Sequence, residues 1–357
     1  MIVLVFLGVA IILYCLWLPT VKRGLKRLSC TRAFDRTIVY QGEEGKLVEV
    51  VRNDSPYAIP WLRMESKISP HIRLGSQNNL HVSEDQYYCS LFSLMPYQQI
   101  QRTHKVTYTH RGAFNLGNAS LTAGDFLGML SLQRSQALDS PVIVYPRLVD
   151  QDDLPAPVSR MLGDLSRHRQ LLRDPFLIKG IRPYQPGDHI RDIHWPATAR
   201  STDLQVRVHD YTAKTKLLVV LNGQYLDLQF SDRLPDHKLD MMEYGISLAA
   251  TVCSHAVRDG FPVGFATNMP LDDSPNPTLM LPQAGDTREE EILAAMAHLD
   301  TIARSKFPVF LESLTVHTGL DILILSSYDS DAIQSSVRML QGSGNRVTFY
   351  RFEGGAS

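Results

Sequence analysis

Three hydrophobic patterns follow one another along the chain. The first, MIVLVFLGVAIILYCLWLPT, carries no charged residue from Met1 to Thr20. About 20 apolar residues rising 1.5 Å each cross a ~30 Å hydrocarbon layer, and the run has no polar face, so it predicts a membrane helix over 1–20. In the second pattern, from about Cys30 to Arg147, short alternating runs recur: RTIVYQ, KLVEVVRN, IPWLRMESKI, YYCSLFSL, HKVTYTHRG and PVIVYPR. They are broken by Gly42, Asn53, Pro56, Pro70 and Gly112. Period-two alternation with turn residues between predicts half-buried antiparallel strands, here a β-sandwich over 28–148.

The third pattern begins after Lys214. KLLVVL, PVGFAT and DILILSS are continuous apolar strands, with a further strand at Thr278 to Leu281 and a last one at RVTFYRF. Between them Leu239, Met242, Ile246, Ala250, Cys253 and Val257 recur at helical spacing, as do Ile292, Leu293, Met296 and Leu299, then Ile333, Val337 and Leu340. Apolar strands alternating with helices predict a parallel sheet covered on both faces, a doubly wound α/β domain over 178–357. The intervening 149–177 opens with DQDDLPAP and continues as a weakly helical, mixed-charge stretch, expected to be a linker. The fold class expected is therefore α+β multidomain: membrane helix, sandwich, then α/β.

Composition narrows the function. With 36 Lys+Arg against 37 Asp+Glu the formal charge is -1, which offers no global field for nucleic acid. Four cysteines, Cys15, Cys30, Cys89 and Cys253, form no CxxC pair and fit a reducing compartment. Lys22, Arg23, Lys26 and Arg27 follow the apolar run rather than precede it, which argues against a cleaved signal. The same bias predicts a single-pass protein of the cell membrane with its main body cytoplasmic. No GxxxxGK[ST], HExxH or GxSxG motif is present, so no catalytic residue is signposted and no cofactor is expected.

One stretch concentrates chemistry: YQPGDHIRDIHWPATAR, Tyr184 to Arg200. Pro186-Gly187 suits a type II turn, and Asp188 is placed to cap the N–H groups that follow. At helical spacing Ile190, Ile193 and Ala197 point inward, until Pro196 interrupts the helix. His189 and His194 are five apart, a spacing that does not bring two imidazoles to one helix face, so no metal is expected here. Arg182, Arg191 and Arg200 have two readings. Paired with Asp188, Asp192 and Asp203 they brace the fold; facing outward they offer planar forks to a partner's carboxylates or phosphates. The brace is expected for Arg200, a mixed role for Arg191, and a core position for Trp195.

GIRPYQPGDHIRDIHWPATARSTDLQVRVHD, Gly180 to Asp210, resembles the signature of the bacterial family called domain of unknown function 58, with Arg182, Tyr184, Pro186, Gly187, Asp188, Arg191, Trp195, Ala199 and Arg200 matching. THRGAFNLGNASLTAGDFLGML, Thr109 to Leu130, and VIVYPR resemble two further elements of that family. The resemblance implies a von Willebrand factor A-like C-terminal half and association with MoxR-type AAA+ ATPases. Such a half usually holds a divalent ion through Asp-x-Ser-x-Ser after its first strand. Here the matching positions are Asn222, Gln224 and Leu226, and Ser327 stands where a later Asp is expected, which implies a degenerate metal site. The function expected is a membrane-anchored, non-enzymatic interaction or scaffold module working with a MoxR-type ATPase in envelope-related assembly. The alternative is a metal-dependent hydrolase using Asp188, His189, Asp192 and His194.

Overall fold

Alternation of inward and outward side chains builds the first part of the chain. In the computed structural model the described residues are 23–75, 80–82, 87–124, 131–171, 173–185, 188–201, 203–211, 216–227, 236–272 and 274–353. They divide into two units, Met1–Arg147 and Leu148–Ser357. The apolar run 1–20 lies outside the described residues; among those described, no helix is long and apolar enough to cross a membrane.

The first unit is sandwich-like and mostly antiparallel. One sheet has the order Leu28–Phe34, Glu44–Asn53, Gln99–Tyr108, Ile72–Leu74. A second has the order Ser131–Ala137, Asn118–Gly124, Ile59–Lys67, Tyr87–Leu94, Leu80–Val82. Leu47, Val51, Leu62, Met64, Tyr88, Phe92, Val106 and Leu121 fill one core cluster drawn from both sheets, each such burial contributing on the order of 1.5–3 kcal/mol. A three-stranded sheet of Ile38–Tyr40, Pro141–Tyr145 and Gly112–Asn115 adds Val39, Val142 and Val144 to that core.

The period-two count also carries charge inside. Inward positions Leu28 and Cys30 lead to Arg32, and Leu47 and Val51 flank Glu49, the residue directly opposite Arg32 in the ladder. Both side chains are fully buried and paired. Arg32 also donates to Ser66 Oγ and lies over the Tyr88 ring, 4.2 Å from its centroid. Glu49 Oε2 accepts from Ser90 Oγ at 2.9 Å and lies 3.2 Å from His104 Nε2. This ionic cluster ties one sheet to the other, and its geometry satisfies most of what burial would otherwise leave uncompensated.

The second unit holds a five-stranded sheet in the order Thr278–Gln283, Val263–Thr267, Lys216–Leu221, Leu320–Ser326, Arg346–Arg351. Four strands are parallel as the apolar runs predict, but Thr278–Gln283 pairs antiparallel with Val263–Thr267. The connection between these two strands is too short for a crossover helix, so the chain turns back as a hairpin. Phe307–Ser313 and Asp331–Gly342 cover one face, where Phe310, Leu311, Ile333 and Val337 meet Leu218, Val220 and Ile324. The long helix Asp236–Arg258 buries Met242, Ile246, Ala250 and Cys253. The stretch expected to be a loose linker contains a continuous helix, Ala156–Leu171, with Leu154 and Val158 buried. Those two apolar positions give it a docked side that a weak helical period alone did not reveal.

Candidate functional site

Two places in the second unit gather the residues singled out from sequence. The first is an excursion from a two-stranded ribbon. Arg173–Pro183 and Gln205–Tyr211 run antiparallel, with Ile181 opposite Arg207 and Pro183 opposite Gln205. Tyr184 N donates to Leu204 O at 2.8 Å and His194 N to Gln205 O at 2.7 Å, so residues 184–204 leave and rejoin the ribbon at the same point.

Within that excursion Arg182 grips Asp188 with both arms, Nη1 to Oδ2 at 2.8 Å and Nη2 to Oδ1 at 2.7 Å. Those bonds raise the affinity of the guanidinium for its proton. Asp188 Oδ2 also accepts from Gln185 N at 2.8 Å, behind it in sequence. Pro186 and Gly187, expected to form the turn so closed, lie outside the described residues. A single 3-10 turn follows at Ile190–Asp192, then a four-residue helix, Trp195–Thr198. Pro196 sits in the first turn of that helix and His194 Nδ1 accepts from Ala197 N at 3.0 Å. Pro196 therefore starts a helix instead of ending one, because a first-turn residue needs no N–H partner.

Exposure corrects the inward assignment. Ile193 is buried and bridges to Val206, but Ile190 is 75% and Trp195 61% exposed. The break between the 3-10 turn and the short helix destroys the continuous 3.6-residue period on which an inward Ile190 depended, and Trp195 is not a core anchor. Arg191 and Arg200 are exposed, and no ion pair joins Arg200 to Asp203 among the described residues. Among the described residues the Arg182–Asp188 member of the expected brace is formed, and Asp192 is also engaged. Tyr184, Ile181 and Leu204 are exposed as well. Beside Trp195 an open pocket of about 450 Å³ lies between Ile181, His194, Pro196, Ala197, Arg200 and Gln205. The excursion thus leaves apolar and aromatic side chains exposed, with Arg191 and Arg200 exposed among them.

The second place is the C-terminal end of the five-stranded sheet. The chain leaves Lys216–Leu221 for a neighbour on one side and later returns to Leu320–Ser326 on the other, a topological switch point where α/β folds open a ligand crevice. Here the crevice is filled. Asn222 Nδ2 donates to Ser326 Oγ at 2.9 Å, and Asn222 Oδ1 accepts from Gln224 N at 2.9 Å. Gln224 Oε1 accepts from Phe307 N at 2.6 Å and from Asn268 Nδ2 at 3.4 Å. Asn268 Oδ1 accepts from Gly223 N at 2.8 Å, and Ser327 Oγ donates to Gln224 O at 3.2 Å. Asn222, Gln224, Asn268 and Ser326 are fully buried, while Leu226 is half exposed.

Every amide oxygen of this lattice is thus already held by an N–H donor, and none of the four side chains carries charge. A hard divalent cation needs several free, preferably anionic, oxygens, so these residues do not fit one. Among the described residues no three His, Cys, Asp or Glu side chains converge on a metal-sized space. Nearby, burial and then the Asp227 charge push the Tyr328 phenol up from its ordinary range. Asn268 and Ser326 were not marked by the sequence. Their polar residue types at the ends of apolar strands are the available signal, parallel to that of Asn222.

Several solved structures show a faint likeness to this chain. A CARDB domain of Pyrococcus furiosus, described in complex with di-metal ions, is 16% identical and covers 33% of this chain and 91% of its own, at a TM-score of 0.22. An α2-macroglobulin segment of Escherichia coli is 11% identical over 33% of this chain and 23% of its own, at 0.27. A non-cellulosomal cohesin of Archaeoglobus fulgidus is 12% identical over 35% of this chain and 94% of its own, at 0.23. Scores of this size carry no argument. The uncharacterized protein YeaD of Bacillus subtilis (strain 168) is 20% identical over 246 residues, 68% of this chain and 56% of that protein, so this chain spans little more than half the length of that relative. Residues 180–319 match the family model described as protein of unknown function DUF58, a stretch that opens on the Arg182–Asp188 turn and the exposed Trp195 and runs through the amide-filled switch point.

Proposed function

We propose that this chain is a non-enzymatic protein-interaction module, held at a membrane by residues 1–20, whose Trp195 face docks a protein partner. A MoxR-type AAA+ ATPase acting in envelope-related assembly is the partner proposed, and the second unit is read as a von Willebrand factor A-like domain that has lost its metal. The observation that carries the reading is the exposure of Tyr184, Ile190, Arg191, Trp195 and Arg200 within one short excursion of the chain. Exposed aromatics beside arginines are the side chains from which interface hot spots are built. The neutral lattice of Asn222, Gln224 and Asn268 supports the metal-free part. The hydrolase alternative has less support, since Asp188 is held by Arg182 and His194 Nδ1 by a helix N-terminus.

The test is a binding titration of the full chain, in detergent or nanodiscs, against a purified MoxR-type ATPase from the same organism. Binding is expected, weakened on the order of tenfold or more by Trp195→Ala with an unchanged melting temperature. No measurable binding by the parent chain overturns the proposed partner; equal binding by Trp195→Ala overturns the proposed face.

A further inference from the structure

We propose that the turn at 95–98 in the first unit is a second membrane contact, resting Met95, Pro96 and Tyr97 on a bilayer surface rich in anionic lipid. The inference depends on the membrane-held reading above, but it uses residues which that reading leaves without a role.

Residues 24–28, which follow the apolar run, are anchored in the first unit. Arg27 N donates to Gly24 O at 3.0 Å, Leu25 and Leu28 are buried, and Arg134 Nη1 donates to the Leu25 and Leu28 carbonyls at 3.3 and 3.4 Å. The chain therefore enters the first unit at one defined end, where Leu28 pairs with Asn53. Asn53 joins that entry to the 95–98 turn. Its N–H donates to Gln98 O at 2.9 Å, its side-chain Nδ2 donates to Met95 O at 2.9 Å, and the next residue, Asp54, donates from its N–H to Arg27 O at 3.2 Å. Tyr97 N donates to Ser55 O at 3.3 Å, and a Cβ placed on Gly24 would lie 3.6 Å from Ser55 Oγ. The turn and residues 24–28 are thus neighbours, so in the membrane-held reading the bilayer surface that follows residue 20 is close to both.

What the turn presents is suited to that surface. Met95 is 65% and Tyr97 69% exposed, and Pro96 is exposed between them. Tyrosine settles at the headgroup level with its ring in the apolar boundary, and methionine is a flexible apolar side chain that adapts to a disordered neighbour. Tyr97 has φ 57°, the left-handed region that strains any residue with a Cβ and that glycine adopts freely. That conformation belongs to the turn joining Tyr87–Leu94 to Gln99–Tyr108 and is held by the Asn53 and Ser55 bonds, which keep the Tyr97 ring presented to solvent. Around the entry Arg23, Lys26 and Arg27 are exposed, and the nearby carboxylate of Asp54 is taken by Arg52 at 2.6 Å. Three exposed cations next to an apolar tip complement anionic headgroups.

The experiment uses the full chain reconstituted in vesicles of phosphatidylcholine and phosphatidylglycerol, with Cys15→Ser and Cys89→Ser removing competing thiols. A fluorophore is placed at Met95→Cys, or at Arg36→Cys beyond the far end of the Leu28–Phe34 strand, a span of roughly 20 Å. Lipids carrying a spin label near the headgroup are expected to quench position 95 by roughly twofold or more over position 36. In Tyr97→Gly that quenching falls by about half while the melting temperature stays level or rises, because the left-handed strain is relieved. A chain that fails to sediment with vesicles overturns the membrane-held reading and this inference with it. A chain that sediments but shows equal quenching at 95 and 36 overturns this inference alone. A label at 95 shielded from aqueous iodide yet silent to the lipid quencher identifies a protein neighbour and also overturns it.

Discussion

Asn222 spans the ends of two parallel strands to reach Ser326, its Nδ2 donating to Oγ at 2.9 Å, while its Oδ1 takes the N–H of Gln224 at 2.9 Å. Both ends of the carboxamide are used, and an isosteric carboxylate could satisfy only one of them. The relationship explains how a buried polar position at the switch point is stable without a counter-charge.

Asn222→Asp is therefore expected to lower unfolding free energy by about 3 kcal/mol or more at neutral pH, since a buried carboxylate would face the Ser326 oxygen without a cation. Burial raises the folded pKa of the introduced acid above its unfolded value, so the deficit shrinks as pH falls and the group protonates. Urea unfolding at pH 7.5 and about 5 measures it. Added Mg²⁺ is expected to restore nothing, because the Gln224 and Asn268 amide oxygens stay engaged; recovery with Mg²⁺ would show a latent cation site.

The acid limb of stability should report Glu49. Burial works against its charge, but the His104 contact, the Arg32 charge and the Ser90 hydroxyl together hold its carboxyl below the usual range. A folded pKa below the unfolded value of roughly 4.3 gives stability that is complete above that value and lost as pH falls through the folded one. Glu49→Gln strands Arg32 in the core and should cost about 3–5 kcal/mol at pH 7, with a flatter acid limb. Denaturant unfolding of parent and variant from neutral pH to about 3 compares the two slopes.

Two buried glycines should differ in what they tolerate. A Cβ at Gly264 would lie 2.4 Å from Met280 O and 2.7 Å from Pro282 N, both backbone atoms of the antiparallel edge strand. At Gly223 the nearest atoms are in side chains, Met269 Cγ at 2.3 Å and Sδ at 2.9 Å and Asn268 Oδ1 at 3.1 Å, and the buried Met269 would have to change rotamer rather than the backbone move. Gly264→Ala is expected to cost about 3 kcal/mol and to speed amide exchange along Thr278–Gln283, whereas Gly223→Ala should cost about 1 kcal/mol.

Arg200→Ala should leave unfolding free energy within about 0.5 kcal/mol of the parent, because the side chain is exposed and pairs with no carboxylate among the described residues. Arg182→Ala should instead release the turn closed by Asp188, seen as faster amide exchange at Gln185, whose N–H that carboxylate holds. A melting loss with Arg200→Ala matching that of a buried-pair deletion would restore the brace to Arg200.

The element pattern was legible because it needs only neighbours in sequence. Alternation placed strands through much of the first unit, continuous apolar runs placed three of the four parallel strands, and the short separation of Arg182 and Asp188 allowed their pairing. The same reasoning failed wherever a long-range partner set the outcome. Ile190 and Trp195 look like core residues in a single helical period, yet the rejoining of His194 and Gln205 splits that period and leaves both in solvent. Thr278–Gln283 looks like any other apolar strand, and only the hairpin made it antiparallel.

Arg32 and Glu49 take inward positions in the alternating strands Leu28–Phe34 and Glu44–Asn53. Only the tertiary structure decided that His104 and Ser90, 55 and 41 residues from Glu49, would complete their environment. For the switch point, the sequence determined that Asn222 and Gln224 lack charge. That their oxygens are already occupied was decided by Asn268 and Phe307, which the chain delivers from 44 and 83 residues beyond Gln224. Local patterning fixes which way a side chain faces, because that depends on the backbone of a few residues. Whether a buried polar atom finds its partner depends on where distant strand ends meet, and chain topology alone brings those together.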